Sequence, residues 1–182
     1  MIVRPATSAD LRYIDSLRRH EQERVGFLPL SRYERETESQ RGTLLVGVEG
    51  GDRVGFIFWT PGWPIARIQQ LAIQDDARRM ERGTALVQAV ADRIPHHNGL
   101  TCRCREDIEG REFWRALGFA EIRREPGGRR KIPLIRFYRE LWPGLFDLQP
   151  SIPVSAALLG QRQGFRFHPR SERRKGVGPR CE

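Results

Sequence analysis

Apolar side chains recur along the chain with two periods, one helical and one strand-like. Leu11, Ile14 and Leu17, with Tyr13 beside them, form a helical stripe behind Ser8, a good capping residue, so a helix is predicted over 8–23. Gly26-Phe27-Leu28-Pro29-Leu30 breaks it, and Ser31 starts a second, very polar helix that runs to Ser39. Residues 2–5, 43–49, 53–60 and 65–73 read as strands, rich in Val, Ile, Leu, Phe and Trp. Gly50-Gly51-Asp52 is a hairpin signal and Pro61-Gly62-Trp63-Pro64 a further turn. After a charged loop, Ala85, Leu86, Ala89, Val90 and Ile94 make the apolar stripe of a helix over 84–94. A strand over 100–105, a helix over 109–117 stopped by Gly118, and strands over 119–124 and 132–140 complete the pattern. The order βα(α)βββαβαββ predicts an α/β fold of the α+β type.

Composition narrows the function classes. The 182 residues carry a formal charge of +9, and all but Lys131 and Lys175 of the 32 basic side chains are arginines. Such a charge favours phosphate-bearing partners, a nucleotide cofactor or a nucleic acid. No apolar run is long enough for a membrane span, and the N-terminal residues do not read as a secretory signal, so a cytoplasmic protein is expected. Cys102 and Cys104 alternate with arginines as in a strand, which turns both thiols to one face, inward, and no metal site is expected. Residues 146–182 hold four prolines and seven basic side chains against three acidic ones. They read as a partly flexible basic C-terminal extension of a domain over 1–145.

Two stretches carry chemistry. From Arg67 the chain runs through Leu71-Ala72-Ile73 into a loop with Arg78, Arg79, Arg82 and Gly83, then a helix from Thr84. A helix start offers unpaired N–H groups and a positive dipole end, a seat for pyrophosphate. The second stretch, Asp107 through Phe113-Trp114 to Gly118-Phe119, is a short helix that stops at a glycine and leads into a strand.

In this order and spacing the two stretches resemble the GNAT-superfamily N-acyltransferases, over about residues 1–141. The resemblance implies a mixed central sheet splayed between the fourth and fifth strands and flanked by helices. Acetyl-CoA, or another acyl-CoA, would lie in that gap. Its pantetheine arm would pair with the backbone near Leu71, Ala72 and Ile73, and its pyrophosphate would sit between Arg79 and Thr84, with Asp107 and Trp114 near the arm. The acyl group would pass directly to an amine entering between the 20–35 region and the 129–138 region. This sequence departs from the family pattern at Glu81, where a glycine is usual, and at Trp114, where the family commonly has a tyrosine that serves as the acid. Gln69 and Gln70 stand where a glutamate base is frequent. Candidate catalytic residues are therefore His20, Gln70, Tyr33 and Tyr138. Arg129, Arg130 and Lys131, at a glycine-rich turn, are candidates for gripping a nucleic-acid or other anionic acceptor. Two alternatives stay open at this point: a nucleic-acid-directed modifying enzyme on the same fold, acting on DNA bases or a tRNA-linked amine, and a non-catalytic binding module. Exposed strand edges would suit a homodimer.

Overall fold

The first helical segment is started by side chains that cap it and then anchor it to the sheet. In the computed structural model, which describes residues 1–75, 80–127 and 132–142, Thr7 rather than Ser8 is the capping residue. The Asp10 carboxylate accepts from the Thr7 amide at 2.8 Å and from its hydroxyl at 3.0 Å, closing a capping box. Ser8–Asp10 is a 3-10 turn, and the predicted first helix divides into α1 (Leu11–His20) and a single turn, α2 (Gln22–Val25). Gly26, at a φ of 78°, ends it. Pro29 holds the extended conformation from which α3 (Leu30–Ser39) starts.

Seven strands form one sheet: β1 (Ile2–Pro5), β2 (Leu44–Glu49), β3 (Asp52–Thr60), β4 (Ile65–Ile73), β5 (Gly99–Arg105), β6 (Ala120–Glu125) and β7 (Leu134–Glu140). Their order is β1-β2-β3-β4-β5-β7-β6, and β4–β5 is the parallel pair. Two helices, α4 (Met80–Ala91) and α5 (Gly110–Ala116), supply the crossover from β4 to β5 and the link from β5 to β6. Helix α4 starts four residues before the predicted Thr84, because Met80, Glu81 and Arg82 are good helix formers. Among the described residues no helix is long and apolar enough to cross a membrane.

Each face of the sheet has its own core. Leu86, Val87, Val90, Leu100, Cys102, Trp114 and Phe137 pack on the α4–α5 face, and Ile14, Leu17, Tyr33, Phe56 and Phe58 on the α1–α3 face. Cys102 and Cys104 point inward as expected, and burial pushes their thiols' pKa up, to about 11 for Cys104. Trp59 and Phe137 are core residues, whereas Trp63 is exposed.

Two features of β4 shape the site. Pairing with β5 stops early: Ile65, Ala66 and Arg67 lie opposite Gly99, Leu100 and Thr101, and beyond them the strands part. Strand β4 also carries one extra residue, Gln69, since Phe58 faces Gln70 while Trp59 faces Ile68. This bulge exchanges the faces. Ile68 looks toward α4, and after the bulge Leu71 and Ile73 do so, while Gln70 and Ala72 turn toward α1–α3.

Asp10 also ties β1 and β3 to the first helical segment. Arg4 donates to it at 2.7 and 3.0 Å and Arg53 at 2.6 Å. Burial alone would raise its pKa, but hydrogen bonds from Arg4, Thr7 and Arg53 outweigh that and hold it well below the usual carboxylate range. The folded pKa is depressed. The stabilisation is thus complete above the unfolded value of about 4 and fades as pH falls toward the folded one. The two guanidiniums stay 38% and 36% exposed, so the network falls short of a fully buried one. We expect Asp10→Ala to cost about 2 kcal/mol at pH 7 and less than half as much near pH 2, as read by urea denaturation across pH.

Candidate active site

Where β4 and β5 part, the backbone of β4 has an open edge. Gln74 donates its amide to the Val54 carbonyl at 3.0 Å, so Gln74, Ala72 and Gln70 point their backbone groups toward β3. By alternation, the N–H and C=O groups of Leu71 and Ile73 point the other way, into the gap. Around this edge lies a cleft of about 500 Å³. Ile68, Leu71, Ile73, Cys102, Cys104, Phe113 and Trp114 give it an apolar wall, and Asp107, Arg103, Arg24 and Glu21 a polar one.

Helix α2 lies across the mouth and is strapped from both sides. From β4, the Gln70 amide nitrogen donates to the carbonyls of Val25 (3.2 Å) and Gly26 (2.9 Å). From the end of β5, Arg105 donates to the Glu23 carbonyl at 2.5 Å. Glu21, the residue between α1 and α2, is thereby held in the cleft wall. It is 5% exposed, and Arg24 pairs with it at 3.2 Å.

The sequence model of the acetyltransferase (GNAT) family matches residues 11–119, more than half of the chain. The chain belongs to the GNAT acetyltransferase family. Its fold is similar to that of Ard1 from Thermoplasma volcanium, at a TM-score of 0.70 and 18% identity, covering 78% of this chain and 97% of that one. It is also similar to the ribosomal-protein-alanine N-acetyltransferase from Brucella melitensis, at 0.63 and 18%, covering 77% and 99%. A third similar structure is the NatB acetyltransferase complex bound to CoA and MES, at 0.67 and 15%, covering 78% and 100%. No curated protein matches the sequence significantly. As a GNAT acetyltransferase, the protein takes its acyl group from an acyl-CoA and passes it to an amine.

Against this GNAT cleft the sequence-derived candidates separate. Leu71, Ile73, Gly83, Asp107 and Trp114 line it, together with Gln70. Trp114 is buried edge-on between Phe113 (5.0 Å between centroids) and Phe119 (5.1 Å). Asp107 is held by Arg105 at 2.6 and 2.9 Å, and that hydrogen bond lowers its pKa. Gly83 lies within the first turn of α4, not in the loop before it. A Cβ there would come within 2.7 Å of the Phe113 ring, so the glycine serves the contact between α4 and α5. The Arg82 guanidinium is paired with Glu49. Thr84 is in the second turn of α4. Arg78, Arg79, Arg129, Arg130, Lys131 and the extension over 146–182 lie outside the described residues.

The four catalytic candidates occupy three places. Tyr33 is fully buried, its hydroxyl donates to the Gln70 carbonyl oxygen, and burial pushes its pKa up to about 12. His20 pairs with Asp75 at 2.9 Å, lines a second hollow with Tyr13, Ser16 and Gln74, and stands 3.7 Å from the Glu21 carboxylate of the cleft wall. Tyr138 stands on β7 with its hydroxyl 3.4 Å from the Asn98 carbonyl, and it is not part of the cleft lining. Sequence reasoning missed Glu21. Within His20-Glu21-Gln22-Glu23-Arg24 it looks like any solvated helix end, and only the break between α1 and α2 turns it inward.

Proposed function

We propose that the protein acylates an amine directly from acyl-CoA, with the donor seated against the open edge of β4 and the acceptor entering beneath α2. The observation that carries this reading is the coincidence, in one cleft, of backbone groups at Leu71 and Ile73 that no described strand pairs and a buried carboxylate at Glu21. The residues present fit such a donor. The open edge presents the alternating donors and acceptors an extended amide chain needs, and the wall beside it is apolar. Bound there, acyl-CoA supplies a thioester carbonyl open to attack and a good leaving thiolate.

The chain's own groups supply the rest. The strapped α2 fixes the acceptor nitrogen relative to β4, and such positioning is a large part of the rate of a bimolecular transfer. Glu21 accepts the proton that an alkylammonium acceptor must lose before its nitrogen can attack, and the proton lost as the amide bond forms leaves with the departing thiolate as thiol. Gln70 and Tyr33 act as positioning residues, since both hydrogen-bond inside the wall that carries α2. The ribosomal-protein-alanine N-acetyltransferase above acts on a protein amine by name. That supports an amine acceptor here without fixing which amine it is.

The test is calorimetric titration of acetyl-CoA into wild type and Leu71→Pro. The Leu71 N–H faces the gap, so proline removes that donor without cutting the ladder to β3. Micromolar binding by wild type and at least tenfold weaker binding by the folded variant support the reading. Equal binding by both refutes this seat for the donor.

A further inference from the structure

The face of the sheet that carries α1–α3 on its β1–β4 half bears a row of guanidiniums on its β4–β6 half. Arg67 on β4 lies opposite Thr101 on β5. Two residues further, Arg103 faces Arg136 on β7, which in turn faces Arg123 on β6. Among the described residues one carboxylate, Glu125, serves the row: Arg136 reaches it at 2.6 Å, Arg103 at 3.2 Å and Arg123 at 3.4 Å. The Arg136 and Glu125 side chains are only 14% and 9% exposed. Arg67 makes no hydrogen bond or ion pair with any described residue. It is half-buried, and burial together with Arg103 and Arg136 lowers its pKa.

Four guanidiniums against one carboxylate, partly out of water, repel one another. Elsewhere among the described residues no more than two guanidiniums share a carboxylate, as Arg18 and Arg19 do at Asp15 and Arg111 and Arg115 at Glu121, and each of those arginines reaches its carboxylate, as Arg67 does not. An anion would relieve the excess at Arg67, and a guanidinium fork matches the paired oxygens of a carboxylate or phosphate. The row is also tied to the cleft, because Arg103 lines it beside Glu21 and Arg24.

We propose that Arg67, with Arg103 and Arg136, forms an anion subsite for the acceptor, so that the amine acylated here carries a carboxylate or phosphate group. This inference rests on the acyltransfer reading above and names the chemistry of its substrate. The anion bridges Arg67 and Arg103, the amine lies toward Glu21, and Glu125 holds the guanidiniums in place when the subsite is empty.

The experiment uses the full chain saturated with coenzyme A, so that the donor's own phosphates do not compete. The arginine side-chain N–H resonances are followed by NMR while three amines are added: phosphoethanolamine, β-alanine and uncharged-headed ethanolamine. Arg67→Lys assigns the Arg67 resonance. Shifts at Arg67 and Arg103 with phosphoethanolamine or β-alanine, absent with ethanolamine, support the subsite, and the probe that binds tells phosphate from carboxylate. Arg67→Gln, which breaks no described contact, should weaken that binding at least tenfold while leaving coenzyme A bound. Equal shifts with ethanolamine, or none with either anionic probe while coenzyme A is bound, overturn the subsite. Failure to bind coenzyme A overturns the acyltransfer reading instead.

Discussion

Glu21→Gln should lower the rate of acyl transfer about a hundredfold or more, the usual contribution of a positioned base, and leave acetyl-CoA affinity within twofold of wild type. The substitution keeps the size and hydrogen-bonding capacity of a buried side chain in the cleft wall and removes its ability to take a proton. Arg24, more than half exposed, can turn to water when its partner is lost, so little effect on folding is expected. A base matters most where the acceptor nitrogen is protonated at neutral pH. The deficit should therefore be large for an alkylamine acceptor and shrink for an arylamine, whose nitrogen is already neutral. Steady-state kinetics on both kinds of acceptor check this. An equal deficit on both would assign Glu21 a structural part only.

Gln70→Leu should be the most disruptive single change in the site. The side chain is 4% exposed and joins three partners: the Tyr33 hydroxyl and the carbonyls of Val25 and Gly26. Leucine fills a similar volume and satisfies none of them. Buried polar groups left without partners each cost about 1–3 kcal/mol, so a loss of about 3 kcal/mol is expected after some relaxation. Tyr33→Phe removes one of these bonds while keeping the edge-to-face contact with Phe56, and should cost about 1 kcal/mol. Urea midpoints at constant slope separate the two. Because Gln70 fastens one end of α2, its loss should also reduce acyl transfer in the fraction that remains folded, through displacement of Glu21. Tyr33→Phe should keep most of the activity.

The strands and the larger helices were legible because their apolar periods are regular. Positions 43–49, 53–60 and 65–73 differ from β2, β3 and β4 by at most one residue at either end. What the pattern hid depends on contacts between distant segments. The bulge at Gln69 has no local signal, since Ile68-Gln69-Gln70-Leu71 reads equally well as unbroken strand, and yet it decides which way Gln70 points. The break between α1 and α2 was hidden in a charged run, and with it the burial of Glu21. Gly83 was legible as part of the arginine-rich approach to a helix, but the sequence does not say that Phe113, thirty residues away, packs against it. The arginines of the sheet face are scattered over 67–136 and form a row only when β7 inserts between β5 and β6. The compact run Arg129-Arg130-Lys131 is the more conspicuous feature of the sequence.

Pairing of the acyl donor with the open edge of β4 is tested most directly by amide hydrogen exchange of Leu71, Ala72 and Ile73, with and without coenzyme A. Ala72 points to β3 and should be protected in both states. Leu71 and Ile73 should exchange freely in the free protein and become protected in the complex. Leu71 and Ile73 amides that exchange equally fast in free and coenzyme A-saturated protein would contradict this pairing.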